Sequence, residues 1–126
     1  MPLRLTTGVD IIEIERIERT IMRWSERFLQ RVYTSDEIDY CRGRAQRFAG
    51  RFAAKEATSK ALGVGIRVLR WKDIEVVPNR RGKPVVLLHG RAAAAAESCG
   101  LTRFEVSITH SRGDAIAFVV AYGEDA

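Results

Sequence analysis

The chain has 126 residues, 46% of them hydrophobic and 29% charged, a length that suits one domain and a composition close to that of soluble globular proteins. That balance excludes a disordered tail and a collagen-like fibre, and no uncharged stretch reaches the roughly 18 apolar residues that a spanning helix needs. Lys and Arg number 21 against 16 Asp and Glu, a formal charge of +5, which favours an anionic partner: nucleic acid, a phosphorylated small molecule or an acidic protein.

The opening MPLRLTTGVD lacks the continuous apolar stretch of an export signal. Two cysteines, Cys41 and Cys99, are too few for a disulfide framework, so a cytoplasmic protein with reduced thiols is expected. Leu3, Leu5, Thr7 and Val9 alternate as a strand. From Ile12 the period changes: Ile14, Ile17, Ile21, Trp24 and Phe28 recur as one helical face, which predicts mostly helix to Arg31, with Ser25 the place for a break. Thr34 and Glu37 have capping-box spacing and start a short helix through Tyr40. A longer helix spans Ala45 to Leu62 and stops at Gly63. Ile74–Pro78 and Pro84–Leu88 flank Asn79-Arg80-Arg81-Gly82 as a β-hairpin. Arg91 to Cys99 is an alanine-rich helix closed by Gly100, and Phe104–Ile108 and Ala115–Tyr122 are strands joined across His110–Asp114. The order of elements is α+β.

Three polar residues break these patterns. Asp10 sits inside the apolar junction Gly8-Val9-Asp10-Ile11-Ile12, where it reads either as a helix N-cap or as a carboxylate that needs a counter-charge or a metal. Glu56 continues the line Phe48, Phe52, Glu56, Lys60, since steps of four drift only about 40° round a helix. That line puts Glu56 at the edge of a buried face, with Ala49, Ala53 and Ala57 beside it to admit another backbone. An ordinary i,i+4 pair with Lys60 explains its spacing equally well. His110 ends a strand before a turn and reads as a hydrogen-bonded structural residue or as part of a site. Two oxygen ligands without a Cys/His cluster suit Mg²⁺ rather than Zn²⁺, with waters and substrate phosphates completing the shell. Lys55, Lys60, Arg51 and the glycines of Gly63-Val64-Gly65 are candidate donors to those phosphates. A basic nucleic-acid module would account for the charge, but no RNP-type aromatic motif or helix-turn-helix pattern is present, and Asp10 and Glu56 would go unexplained.

The motifs GVD at Gly8–Asp10, RFAAKEATSKALGVG at Arg51–Gly65 and SITH at Ser107–His110 resemble those of the holo-acyl-carrier-protein synthases, the small trimeric branch of the 4'-phosphopantetheinyl transferase superfamily. The resemblance covers nearly the whole chain, including FLQRVYTSDEI and the turn NRRGKP at Asn79–Pro84. It implies a single-domain fold with an antiparallel sheet packed against a long helix. It also implies Mg²⁺-dependent transfer of phosphopantetheine from coenzyme A to a serine hydroxyl of apo acyl carrier protein, releasing adenosine 3',5'-bisphosphate and supporting fatty acid biosynthesis. By position, Asp10 and Glu56 match the magnesium ligands and Lys60 the lysine of the KEAxxK motif. Lys60, His110, Arg51, Gly63, Gly65 and Pro84 match the coenzyme A site. The implied assembly is a homotrimer with active sites at subunit boundaries, in which Asp10, Glu56 and Lys60 share a subunit and His110 comes from that subunit or from a neighbour. Neither a nucleic acid nor a membrane is an expected partner.

The first helix bears on the carrier. At about 100° per residue, Ile14, Ile17, Ile21, Trp24 and Phe28 fill one sector. Arg16, Arg19, Arg23 and Arg27 fill the next, and Glu15, Glu18 and Glu26 the third. A segregated arginine face suits an acidic helix, as it also suits a solvated surface. That face places Arg16, Arg23 and Arg27 as the expected carrier contacts, and Arg16 is the nearest match to the family's carrier-contacting arginine.

Overall fold

A computed structural model describes residues 3–124 of the chain. Strand β1 (Leu3–Glu13) leads into helices α1 (Ile14–Trp24), α2 (Glu26–Val32), α3 (Ser35–Cys41) and α4 (Ala45–Leu62). The hairpin β2 (Ile74–Pro78) and β3 (Pro84–Leu88), helix α5 (Gly90–Cys99) and strands β4 (Arg103–His110) and β5 (Asp114–Glu124) follow. The strands form a three-stranded antiparallel sheet in the order β1-β5-β4 and a separate two-stranded sheet β2-β3. The expected α+β fold, with an antiparallel sheet against a long helix, is the one observed.

Helix α4 lies across one face of the larger sheet. Its small residues let the strand come close: Ala53, Ala57 and Ala61 are buried, and a Cβ added to Gly8 would stand 1.8 Å from the Ala57 carbonyl oxygen. The alternation of β1 turns Gly8, Asp10 and Ile12 toward α4 and Val9 and Ile11 outward. Phe48, Ala49, Ile74, Val76, Val106, Ala117 and Val119 belong to the same core. Behind α4, the Glu37 carboxylate takes a 2.8 Å bond from the Lys55 ammonium, both side chains being fully buried. Lys55 also donates to the carbonyls of Trp71 at 3.1 Å and of Ile74.

Most boundaries fall where periodicity places them, the break at Ser25 among them, with two differences. Strand β1 continues through Glu13, because Ile11 and Ile12 pair with Ile116 and Ala115 of β5, so the helix starts two residues later than its period suggests. Ser25 takes φ 45° and ψ −123°, which ends α1 and starts α2 as separate helices. The elbow also leaves Trp24, expected on the buried face, 47% exposed. The capping box of α3 is present in full, Thr34 Oγ1 accepting from the Glu37 N–H and Glu37 Oε1 from the Thr34 N–H.

Candidate active site

Asp10 is not a helix cap: it lies in mid-strand, paired with Ala117, and its side chain points at α4. There Glu56 and Lys60, one helical turn apart, stand over it. The Lys60 ammonium donates to Asp10 Oδ1 at 3.2 Å and to the Val9 carbonyl at 3.0 Å. Lys60 therefore pairs with the strand rather than with Glu56 on its own helix, and among the described residues the Glu56 carboxylate has no hydrogen-bond partner. The three groups line one open pocket of about 450 Å³ together with Ile17, Thr20, Phe28, Phe52 and Arg16. Chain segments distant in sequence meet here because Gly8 and Ala57 bring strand and helix into backbone contact.

Partial burial raises the Asp10 pKa, against the hydrogen bond and charge of Lys60. Burial also raises that of Glu56, the Asp10 charge adds to the rise, and Lys60 opposes it. Two carboxylates thus repel each other across a pocket that contains one ammonium. Among the described residues no cluster of three or more His, Cys, Asp or Glu forms a closed metal cage. A pair of half-buried, under-neutralised oxygen donors facing open space fits a hard divalent cation that keeps waters or substrate phosphates in its shell, and it does not fit a structural zinc site.

The remaining predicted residues lie elsewhere. Arg51 is buried, its Nε 3.3 Å from the Val76 carbonyl and its guanidinium over the Tyr40 ring at 4.2 Å. Lys55, read from sequence as a candidate phosphate donor, is enclosed with Glu37 and cannot reach a ligand in this arrangement. Gly63 closes α4 with φ 73°, and Gly65 begins the loop beyond it. Pro84 starts β3 across the tight turn, where Asn79 Oδ1 accepts from the Arg81 and Lys83 N–H groups. His110 Nε2 donates to the Gln46 carbonyl at 3.1 Å, at the other end of α4 from Lys60. None of these five predicted coenzyme A residues lines the Asp10 pocket within one chain. Of the arginines, Arg16 lines it, Arg23 lies over the Trp24 ring at 5.1 Å, and Arg27 lies beyond the elbow. Sequence reasoning missed Thr20 and Phe52 as pocket walls; Phe52, one turn before Glu56 on the same line, carried the signal.

A family model described as the 4'-phosphopantetheinyl transferase superfamily matches residues 6–119. The chain belongs to that superfamily. Within it, a holo-[acyl-carrier-protein] synthase of Herpetosiphon aurantiacus is 47% identical over 126 residues, spanning 94% of this chain and 99% of the relative. One from Solibacter usitatus is 48% identical over 118 residues, spanning 90% and 94%. The crystal structure of the Helicobacter pylori holo-[acyl-carrier-protein] synthase in complex with coenzyme A superposes with a TM-score of 0.84 at 36% identity, covering 91% of this chain and 98% of that one. The superfamily fold is thus present over essentially the full length, including the strand and helix that carry Asp10, Glu56 and Lys60.

Proposed function

We infer that the protein transfers 4'-phosphopantetheine from coenzyme A to a serine hydroxyl of apo acyl carrier protein, releasing adenosine 3',5'-bisphosphate. The observation that carries this reading is the convergence of Asp10 and Glu56, with Lys60, on one pocket of a superfamily member. Asp10 and Glu56 are the residues that would hold Mg²⁺, which when bound supplies charge neutralisation for the diphosphate oxygens. The serine oxygen forms a bond to the β-phosphorus of coenzyme A as the bond to the bisphosphate breaks. The serine proton needs an acceptor, and Glu56 or a water held beside the two carboxylates would serve. Lys60, held by Asp10 and the Val9 carbonyl, carries the cation that stabilises the departing phosphate.

The reading extends to a homotrimer whose sites are completed by neighbouring copies. Two features support it. Of the predicted coenzyme A residues, all but Lys60 lie away from the carboxylate pocket of their own chain, and the sheet face opposite α4 is apolar and open. Leu3, Leu5, Val9, Ile11 and Phe118 are between 45% and 60% exposed there, an apolar cluster of the kind that marks an interaction surface. Among the described residues no helix is long and apolar enough to cross a membrane.

The test is incubation with coenzyme A, Mg²⁺ and an apo carrier protein, read by mass spectrometry. A gain of one phosphopantetheine on the carrier serine, lost on chelation of the metal, is the expected result. Glu56→Gln should lower turnover by about 10³-fold or more while leaving the thermal transition near that of the parent. Parental turnover in that variant contradicts the assignment.

A further inference from the structure

Three grooves on one side of the molecule run into each other. The carboxylate pocket shares Thr20 and Phe28 with a second groove at the Ser25 elbow, lined also by Trp24, Arg27 and Arg31. That groove shares Arg31 with a third of about 770 Å³, built from α2 and residues 66–73 of the loop after α4. The floor is aromatic throughout: Phe28 packs on Phe52 at 6.4 Å and Phe52 on Trp71 at 4.7 Å. The rim of the third groove carries Arg31, Arg67, Arg70 and Lys72, all exposed and, among the described residues, none in an ion pair. Its one acid, Asp73, is engaged with the Arg91 backbone N–H at 2.9 Å.

The loop that presents these cations is anchored. Leu69 is buried, the Val68 carbonyl accepts from Arg91 at 3.2 Å, and the Trp71 carbonyl accepts from the buried Lys55 at 3.1 Å. A fixed surface with four unpaired cations, continuous with the pocket that must receive a serine, is complementary to an acidic protein that enters that pocket.

We propose that the carrier protein docks beyond α1, across the elbow, and sets acidic side chains against Arg31, Arg67, Arg70 and Lys72, so that the loop after α4 is part of the carrier-recognition surface. This rests on the transfer reading above. The test is the double variant Arg67→Glu/Arg70→Glu in the full chain, assayed with apo carrier and coenzyme A varied separately. The expected outcome is a KM for the carrier raised about tenfold and less sensitive to added salt than that of the parent, with the KM for coenzyme A changed less than about twofold. An unchanged carrier KM in a variant whose circular dichroism matches the parent overturns the proposal. So does an equal or larger rise in the coenzyme A KM, which would mean that the groove takes nucleotide phosphates. If the parental protein loads no carrier at all, the transfer reading itself fails, and that outcome is seen before any variant is made.

Discussion

Gly8 shows how one missing side chain builds a site. A Cβ there would stand 1.8 Å from the Ala57 carbonyl oxygen and 2.9 Å from the Ala61 nitrogen, both backbone atoms that no rotamer change can move. Gly8→Ala must therefore push α4 away from β1, and with it Glu56 and Lys60 away from Asp10. Overpacking of this kind costs about 1–3 kcal/mol. The variant should unfold at lower urea, and at saturating substrates its turnover should fall below parent even where it is fully folded. Parental turnover would mean that the pocket tolerates a wider strand–helix gap. The sequence made this contact half legible. The alanines beside Glu56 announce that a backbone comes close, but nothing local says which one, because β1 reaches α4 only after three intervening helices have folded back. For the same reason Asp10 reads in sequence as a cap or a ligand, and only the pairing of β1 with β5 removes the first.

At the scale of elements, a buried polar chain ties the capping box of α3, helix α4 and the hairpin together. Lys55 donates to Glu37 at 2.8 Å, Glu37 accepts from the Val76 N–H, and Thr34 donates to Glu75 at 2.6 Å, which His89 also meets at 3.1 Å. Removing one partner of a fully buried ion pair strands the other, at about 3–5 kcal/mol. Lys55→Met should therefore lose that much stability in urea denaturation; a loss under about 1 kcal/mol would show that water reaches Glu37. The chain also has a pH signature. Burial raises the Glu75 pKa, but the bonds from Thr34 and His89 and the charges of His89 and Lys55 outweigh it and leave it lowered. Its contribution is complete above the ordinary glutamate value and is lost as pH falls through the lowered one. The melting temperature should drop as pH falls from roughly 5 to 3, and Glu75→Gln should flatten that part of the curve; an unaltered curve assigns the acid loss to other carboxylates. This network was illegible in sequence. Lys55 neighbours Glu56 and reads in sequence as a candidate phosphate donor, yet the helix turns it about 100° away, into the core. Helix α4 itself was legible, because its stop at Gly63 and its aromatic line are local signals. The Ser25 elbow was visible as a place, but its direction was not, so the arginine wheel of one straight helix does not describe where Arg27 ends up.

For the whole molecule, the open question of geometry is what covers the outer sheet face and what completes the site. The two have one answer if copies of the chain associate through β1, β5 and β4. Phe118 stands mid-sheet between Val9 and Ser107 and is 45% exposed, so a charge there keeps access to solvent in a single chain yet would be buried unpaired between copies. The proposed homotrimer then makes a joint prediction for Phe118→Glu. By light scattering the parent has three times the chain mass and the variant one; by circular dichroism both are folded. If His110, Pro84 and Arg51 reach coenzyme A across a subunit boundary, the monomeric variant should also lose most transfer activity, with its Asp10–Glu56–Lys60 pocket intact. A folded monomer that transfers at the parental rate would show that one chain holds a whole site. A variant that stays trimeric would move the interface off this face. Because the substitution lies outside the carboxylate pocket, loss of activity together with loss of mass reports on assembly and not on the chemistry of the carboxylates.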